Sequence, residues 1–359
     1  MVLEPWLTPK RLMSVFEIEN VLAFNIYFPS DIKIMNNPWR VLLLSSAAIV
    51  GLTTVVLACQ VPVFRYALER WPSDKYQVVV LTAGPLDSSA QANVARLQAA
   101  EQQAADNIEL QMADVSTVRD KRLLEMWREH QPSDAPLMIV LYPRTAEQVP
   151  DRVIEAYELT SESVERLLQS PVRQEVAQRL SSGQAAVWIF VPCGDDGKDK
   201  PALAMLKQRI EINQKRLTVP TAEELDVEPA RLENNKIPLR IEFSVVTLDR
   251  ADPREAFLLR SLGHSEADLP NTEPLAFPVF GRGRVLYALV GAGIMPDTID
   301  MASEFISGPC SCQVKNQNPG FDLLLAHDWE QVVAGSQLSD ALPDESAEPK
   351  LLTIPPGRK

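Results

Sequence analysis

The chain has little of what most catalytic and nucleic-acid-binding proteins need. Its 359 residues hold only three histidines and four cysteines. His130, His264 and His327 are far apart in sequence, and no His-Glu-x-x-His or Gly-x-Ser-x-Gly motif is present. A lone histidine is more often a surface or satisfied core residue than a ligand, and each is read that way. Cys59, Cys193, Cys310 and Cys312 are too few for a disulfide scaffold and too scattered for a zinc ribbon. Basic clusters are also missing. The formal net charge is −13, and a phosphate backbone needs grouped Lys and Arg, so nucleic acid is excluded as a partner. Glycine pairs occur at Gly281-Arg282-Gly283 and Gly291-Ala292-Gly293. Neither joins a first strand to a helix as a dinucleotide loop does, and both are read as turns. Asp195, Asp196 and Asp199 fit no calcium loop. No cofactor is expected.

What is present is apolar and regularly punctuated. The hydrophobic fraction of 46% is enough for a sizeable core. Val41 to Ala58 is an uncharged run preceded by Arg40. At about 1.5 Å per residue it just crosses a bilayer core of about 30 Å. Starting from Met35, the order is a short charged stretch, this apolar run, then Val56-Leu57-Ala58-Cys59. That resembles a bacterial lipoprotein signal, which implies a diacylglycerol on Cys59 and cleavage before it; Leu57 departs from the small residue preferred there. An uncleaved signal anchor is the competing reading, with Arg40 favouring a cytoplasmic N-terminus. Both readings put the chain beyond Cys59 on the extracytoplasmic side of a cell envelope, attached to the membrane. Residues 1–34 are then an N-terminal extension, a short tail or a start-codon artefact, and 35–59 the signal or anchor. Residues 60–75 read as a tether with a turn or two of helix, whose Phe64, Tyr66 and Trp71 either dock on the first domain or sit at the membrane interface, packing being the commoner fate of such residues.

Beyond the tether, one order of elements occurs twice. Tyr76–Thr82 is a β-branched run bounded by Gly84-Pro85, and Ser88–Ala105 a helix. Asn107–Met112, Ser116–Glu129, Leu137–Tyr142, Val153–Leu159 and Ser161–Gln169 come next as strand, helix, strand, strand and helix. Pro171–Leu180 adds a helix with Pro in its first turn. The second series is Ala185–Val191, Pro201–Leu217, Leu239–Leu248, Pro253–Leu262, the hairpin around Gly281-Arg282-Gly283, and Pro296–Ile306. Both series read βαβαββα, and Ala135-Pro136-Leu137 parallels Glu273-Pro274-Leu275. The expected units are 76–170 and 171–313. A short helix over Asp322–Val333 lies in the segment 314–359, and the acidic, Pro-rich tail is expected to be disordered from about residue 336.

The order resembles the thioredoxin fold, and Leu275 to Ala292 is similar to its third and fourth strands with their turn. The resemblance implies an α/β chain of two tandem thioredoxin-like domains, with Pro136 and Pro274 facing the active-site position, where the family's proline is cis. Redox members carry Cys-x-x-Cys at the head of the first helix, where the helix N-terminus favours the thiolate. Here that loop is Ala83-Gly84-Pro85-Leu86 in the first unit and Cys193-Gly194-Asp195-Asp196 in the second. The dithiol is absent from both. The resemblance therefore implies a redox-inactive binding or assembly module whose partner is another envelope protein. Two alternatives use the remaining cysteines. One is a thiol-disulfide oxidoreductase through Cys310 and Cys312 with Cys193; the other is an envelope protein binding a soft metal at Cys310 and Cys312. A structural disulfide from Cys193 to one of these two is the third use open to them.

Overall fold

A computed structural model describes residues 59–102, 107–129, 135–310 and 314–339; of Cys59 it describes the backbone. The apolar run, the 1–34 extension, Cys312, His130 and everything from 340 onward lie outside the described residues.

The chain enters through strand β1 (Cys59–Pro62) and helix α1 (Val63–Arg70). The expected turn or two of helix in residues 60–75 is α1, and it is packed rather than loose. Val61, Val63, Phe64, Tyr66, Ala67, Leu68 and Trp71 are all buried, and so are Arg65 and Glu69. The reason lies far along the chain. Glu69 receives Arg65 Nε at 2.5 Å and the backbone N–H groups of Leu338 and Ser339, each at 2.8 Å. Arg65 also donates to Ile237 O (2.8 Å), Asn235 Oδ1 (3.0 Å) and Ser336 O. A buried ion pair survives only when its remaining donors and acceptors are satisfied, and these residues satisfy them.

The first α/β unit comprises β2 (Tyr76–Thr82), α2 (Ser88–Gln102), β3 (Ile108–Asp114), α3 (Lys121–Glu129), β4 (Leu137–Leu141), β5 (Val153–Glu158) and α4 (Ser161–Leu168). The sheet order is β3-β2-β4-β5, with β2 parallel to β3 and antiparallel to β4, and β4 antiparallel to β5. Helix α3 starts later than Ser116 because Asp114 takes Ser116 N (2.8 Å) in a local turn that competes with helix. Asp120 Oδ1, accepting Arg122 N at 2.9 Å, begins it instead. Thr160 and Ser163 cap α4 reciprocally.

Helix α5 (Pro171–Ser181) is capped by Ser170 Oγ on Arg173 N, with Pro in the first turn as expected. The second unit then runs through β6 (Ala186–Val191), α6 (Asp196–Arg216), a short α7 (Pro229–Glu233), β7 (Phe243–Thr247), α8 (Ala256–Gly263), β8 (Leu275–Phe280), β9 (Arg284–Val285), β10 (Leu289–Val290) and α9 (Pro296–Ser307). Asp195 caps α6, so this helix begins ahead of Pro201 rather than at it. Here β6 is parallel to β7 and antiparallel to β8, and β8 antiparallel to β9, giving the order β7-β6-β8-β9. That matches the first sheet strand for strand. Pro278 accepts Leu286 N at 3.1 Å but has no N–H to return, so pairing lapses after β9 and resumes at β10.

Strand β11 (Pro309–Cys310) pairs with β1, and β12 (Phe321–Asp322) adds to the edge of β9. The expected helix over Asp322–Val333 is thus a strand succeeded by α10 (Trp329–Val333). Residues 336–339 are not loose either: Ser336, Leu338 and Ser339 are buried.

One apolar layer lies between the two sheets. Val78, Val80, Met138 and Val140 contribute from the first sheet; Val187, Ile189, Phe277 and Val279 contribute from the second. Between them pack Leu97 of α2, Leu167 of α4, Val176 of α5 and Phe257 of α8. Strand alternation sends Val79, Leu81 and Ile139 to the other face, against Trp127 of α3. On the far side of the second sheet, Trp188 and Phe190 meet α1, α6 and α9. Polar contacts stitch the middle layer. Tyr76 Oη donates to Asp322 O (2.7 Å), Asn107 Nδ2 to Leu323 O (3.0 Å), and Leu325 N to Asn107 Oδ1 (2.8 Å). The fold is mixed α/β with separate sheets, consistent with a thioredoxin-like arrangement.

Candidate functional site

In each unit the loop after the first strand and the residue before the third strand meet at one sheet end. In the first unit, Leu81 pairs with Leu137, which sets Ala83–Leu86 beside Pro136. Asp87 Oδ1 accepts Ala90 N at 2.7 Å and starts α2. Gln91 Nε2 donates to Leu86 O at 2.8 Å and holds the loop down. The result is a cavity of about 560 Å³ lined by Thr82, Gly84, Leu86, Ser89, Pro136 and Leu159, among others. Its lining has neither a thiol nor a histidine, so it can bind but has no nucleophile of the kind that exchanges disulfides.

At the second unit the corresponding edge is crossed by polar contacts. Val191 pairs with Leu275, which brings the Cys193 loop next to Pro274. Asp199 bridges two backbone donors, Cys193 N at 2.8 Å and Gly194 N at 2.9 Å. Burial opposes its ionisation, but these N–H groups, the Cys193 side chain and Arg250 outweigh that and hold the carboxyl below its usual range. Lys198 Nζ reaches Glu273 Oε1 (2.6 Å) and Thr272 O (2.9 Å), tying the head of α6 to the residues that lead into β8. Arg250 spans Pro192 O (2.7 Å) and Asn271 Oδ1 (3.0 Å). Asp195 and Asp199 are consequently spent on capping and loop closure. Asp196 pairs with Lys200.

The peptide bonds preceding Pro136 and Pro274, whose isomer the sequence leaves open, are trans. Cys193 is half-buried and Cys310 buried, and no disulfide joins them. The structural bridge between these two is therefore not formed. Cys310 lies instead on β11, in the apolar cluster with Val61, Phe64, Phe280 and Ile306. Among the described residues, no three His, Cys, Asp or Glu are grouped as a metal site. Two further predicted positions are outside the described residues or only partly within them: Cys312, and Cys59, whose backbone opens β1. His327 stacks edge-on against Trp329 (4.6 Å), and burial lowers its pKa against the opposing pull of Asp328. A second hollow of about 600 Å³ lies between α4, α5 and Pro253-Arg254. Its rim of Glu162, Glu165, Arg166 and Arg254 is a solvated charged groove with no reactive group. Sequence reasoning identified the loop Ala83–Leu86 only by its missing cysteines; that it lines a cavity depends on Leu159 and Pro136 meeting it across the sheet.

Among the described residues no helix is long and apolar enough to cross a membrane. No known protein family matches the chain, and no curated protein matches it. Among solved structures it is similar to the first two thioredoxin domains of Saccharomyces cerevisiae Eps1p. The identity is 9% and the TM-score 0.19, over 68% of this chain and 96% of that one. The matching strand orders of the two sheets, rather than this likeness, carry the description of the fold.

Proposed function

We propose that the chain is a membrane-attached, extracytoplasmic binding or assembly module built from two thioredoxin-like units that do no dithiol chemistry. The observation that supports this is the first unit's loop edge. Where redox members of the fold place their cysteines, this chain has Ala83-Gly84-Pro85-Leu86 beside an open cavity of about 560 Å³. The loop edge of an α/β sheet remains a concave site after its thiols are gone. Attachment is through the segment ending at Cys59, and the partner is another envelope protein that fills the cavity with an apolar or backbone group.

Two measurements test this. A photo-crosslinking residue in place of Leu86, in the full chain in native membranes, should capture one discrete protein. The same probe at exposed Met112, on β3, should not. Equal labelling from both positions would remove the cavity from consideration. In parallel, the purified chain should reduce insulin disulfides no faster than dithiothreitol alone. Turnover lost in Cys193→Ser would instead establish the oxidoreductase reading.

A further inference from the structure

The two-stranded ribbon of β1 and β11 contains a cysteine in each strand, and its register sets Cys59 directly opposite Cys310. Directly opposed residues of an antiparallel pair have Cα atoms about 4.5–5.5 Å apart. That lies inside the window of about 4.4–6.8 Å over which disulfides form without backbone movement. The ribbon is anchored on the α1 side, beyond a register irregularity between Cys59 and Pro62. Pro62 pairs with Pro309, and Val63 N donates to Gly308 O at 2.9 Å. Cys310 is 1% exposed and belongs to the cluster made by α1, α9 and the second sheet.

We propose that Cys59 and Cys310 form a cross-strand disulfide, an assignment that rests on the extracytoplasmic location proposed above but not on the binding role. The two thiols lose two protons and two electrons as the S–S bond forms. A protein or small-molecule disulfide of the oxidising compartment accepts the electrons and is reduced to two thiols. The bridge closes a loop of about 250 residues, long enough for chain entropy to favour the native state. It also reinforces a ribbon that a few backbone bonds alone would hold only marginally. The Cys59 sulfur has a single valence to give. A bridge to Cys310 and a thioether to diacylglycerol exclude each other, so a bridged chain is held at the membrane by its apolar segment.

The test uses the full chain carrying Cys312→Ser, purified without reductant, alkylated with N-ethylmaleimide in denaturant and digested with trypsin. The expected product is a linked pair of peptides, 41–65 and 285–315, that dithiothreitol separates, with N-ethylmaleimide on Cys193 alone. On a non-reducing denaturing gel, both the unsubstituted chain and Cys312→Ser should run faster than their reduced forms, and Cys59→Ala should show no such difference. Alkylation of both Cys59 and Cys310, a diacylglycerol mass on Cys59, or a link from Cys310 to Cys193 would each overturn the assignment.

Discussion

Replacing Glu69 by Gln removes one charge from the buried cluster that joins α1 to residues 336–339, and keeps the side chain's size. Arg65 retains Ile237 O and Asn235 Oδ1 as acceptors, but its charge loses the carboxylate at 2.5 Å. The Leu338 and Ser339 N–H groups and the Ser339 hydroxyl then compete for one amide oxygen, with an NH2 turned towards some of these donors. Breaking a buried pair by removing one partner costs about 3–5 kcal/mol. Domains are stable by only about 5–15 kcal/mol, so this is about a fifth of the total or more. With a urea m-value near ~3 kcal/mol/M, the midpoint should fall by about 1 M or more, monitored by the fluorescence of buried Trp71 and Trp188. The double variant Arg65→Met/Glu69→Leu should lose less than the sum of its single changes, because no uncompensated charge is left. A midpoint within about 0.3 M of the parent for Glu69→Gln, equivalent to ~1 kcal/mol, would refute the reasoning and restore α1 to the status of a loose tether.

Four further outcomes are expected. Gly281 has φ +59°, and an added Cβ would meet Ala67 Cβ at 2.6 Å. Gly281→Ala should therefore cost at least about 1–2 kcal/mol, whereas Gly263→Ala, with open space around it, should be neutral or stabilising in the same melting assay. Asp199 has its pKa lowered by folding, so the stability it contributes is complete above its unfolded value of about 3.9 and is lost as pH falls through the lower folded one. The melting-temperature advantage of the parent over Asp199→Asn should hold from pH 7 to about 4 and shrink below that; an advantage that grew on acidification would contradict the assignment. Iodoacetamide should modify half-buried Cys193 in the folded chain and leave buried Cys310 untouched, as read by peptide mass. Cys59→Ser should remain in the carbonate-washed membrane fraction, and its appearance in the supernatant would mean that an acyl chain had been the anchor.

The parts of the fold visible in the sequence are those whose causes are local. Tyr76–Thr82 and Ala186–Val191 are buried along their whole length, and an unbroken apolar run announces that. The turn Gly281-Arg282-Gly283 needs positive φ at both glycines and has it. Ser170 and Pro171 start α5 by rules that involve only their neighbours. What could not be seen has its cause elsewhere in the chain. Three charges in Val-Pro-Val-Phe-Arg-Tyr-Ala-Leu-Glu-Arg-Trp fit a solvated tether, yet Arg65 finds Ile237 O 172 positions away and Glu69 finds Ser339 N 270 positions away. The partner of Cys310 was unreadable for the same reason. Nothing near Cys59 says that its strand will lie against a segment beyond α9. The closure around Cys193 is intermediate, because Asp195 as a cap is local while Lys198 with Glu273 is not.

The apolar layer that both sheets share has a mechanical consequence. Tyr76 and Tyr142 of the first unit sit against Phe257 of the second and Phe321 of the strand added to its sheet, at ring separations of 6.3 and 5.6 Å. A hinge between the units would have to open that layer to water, so clamshell closure of the kind used by two-lobed receptors is not open to this molecule. Its two loop edges keep a fixed spacing, and a partner touching both would be measured against a rigid gauge rather than embraced.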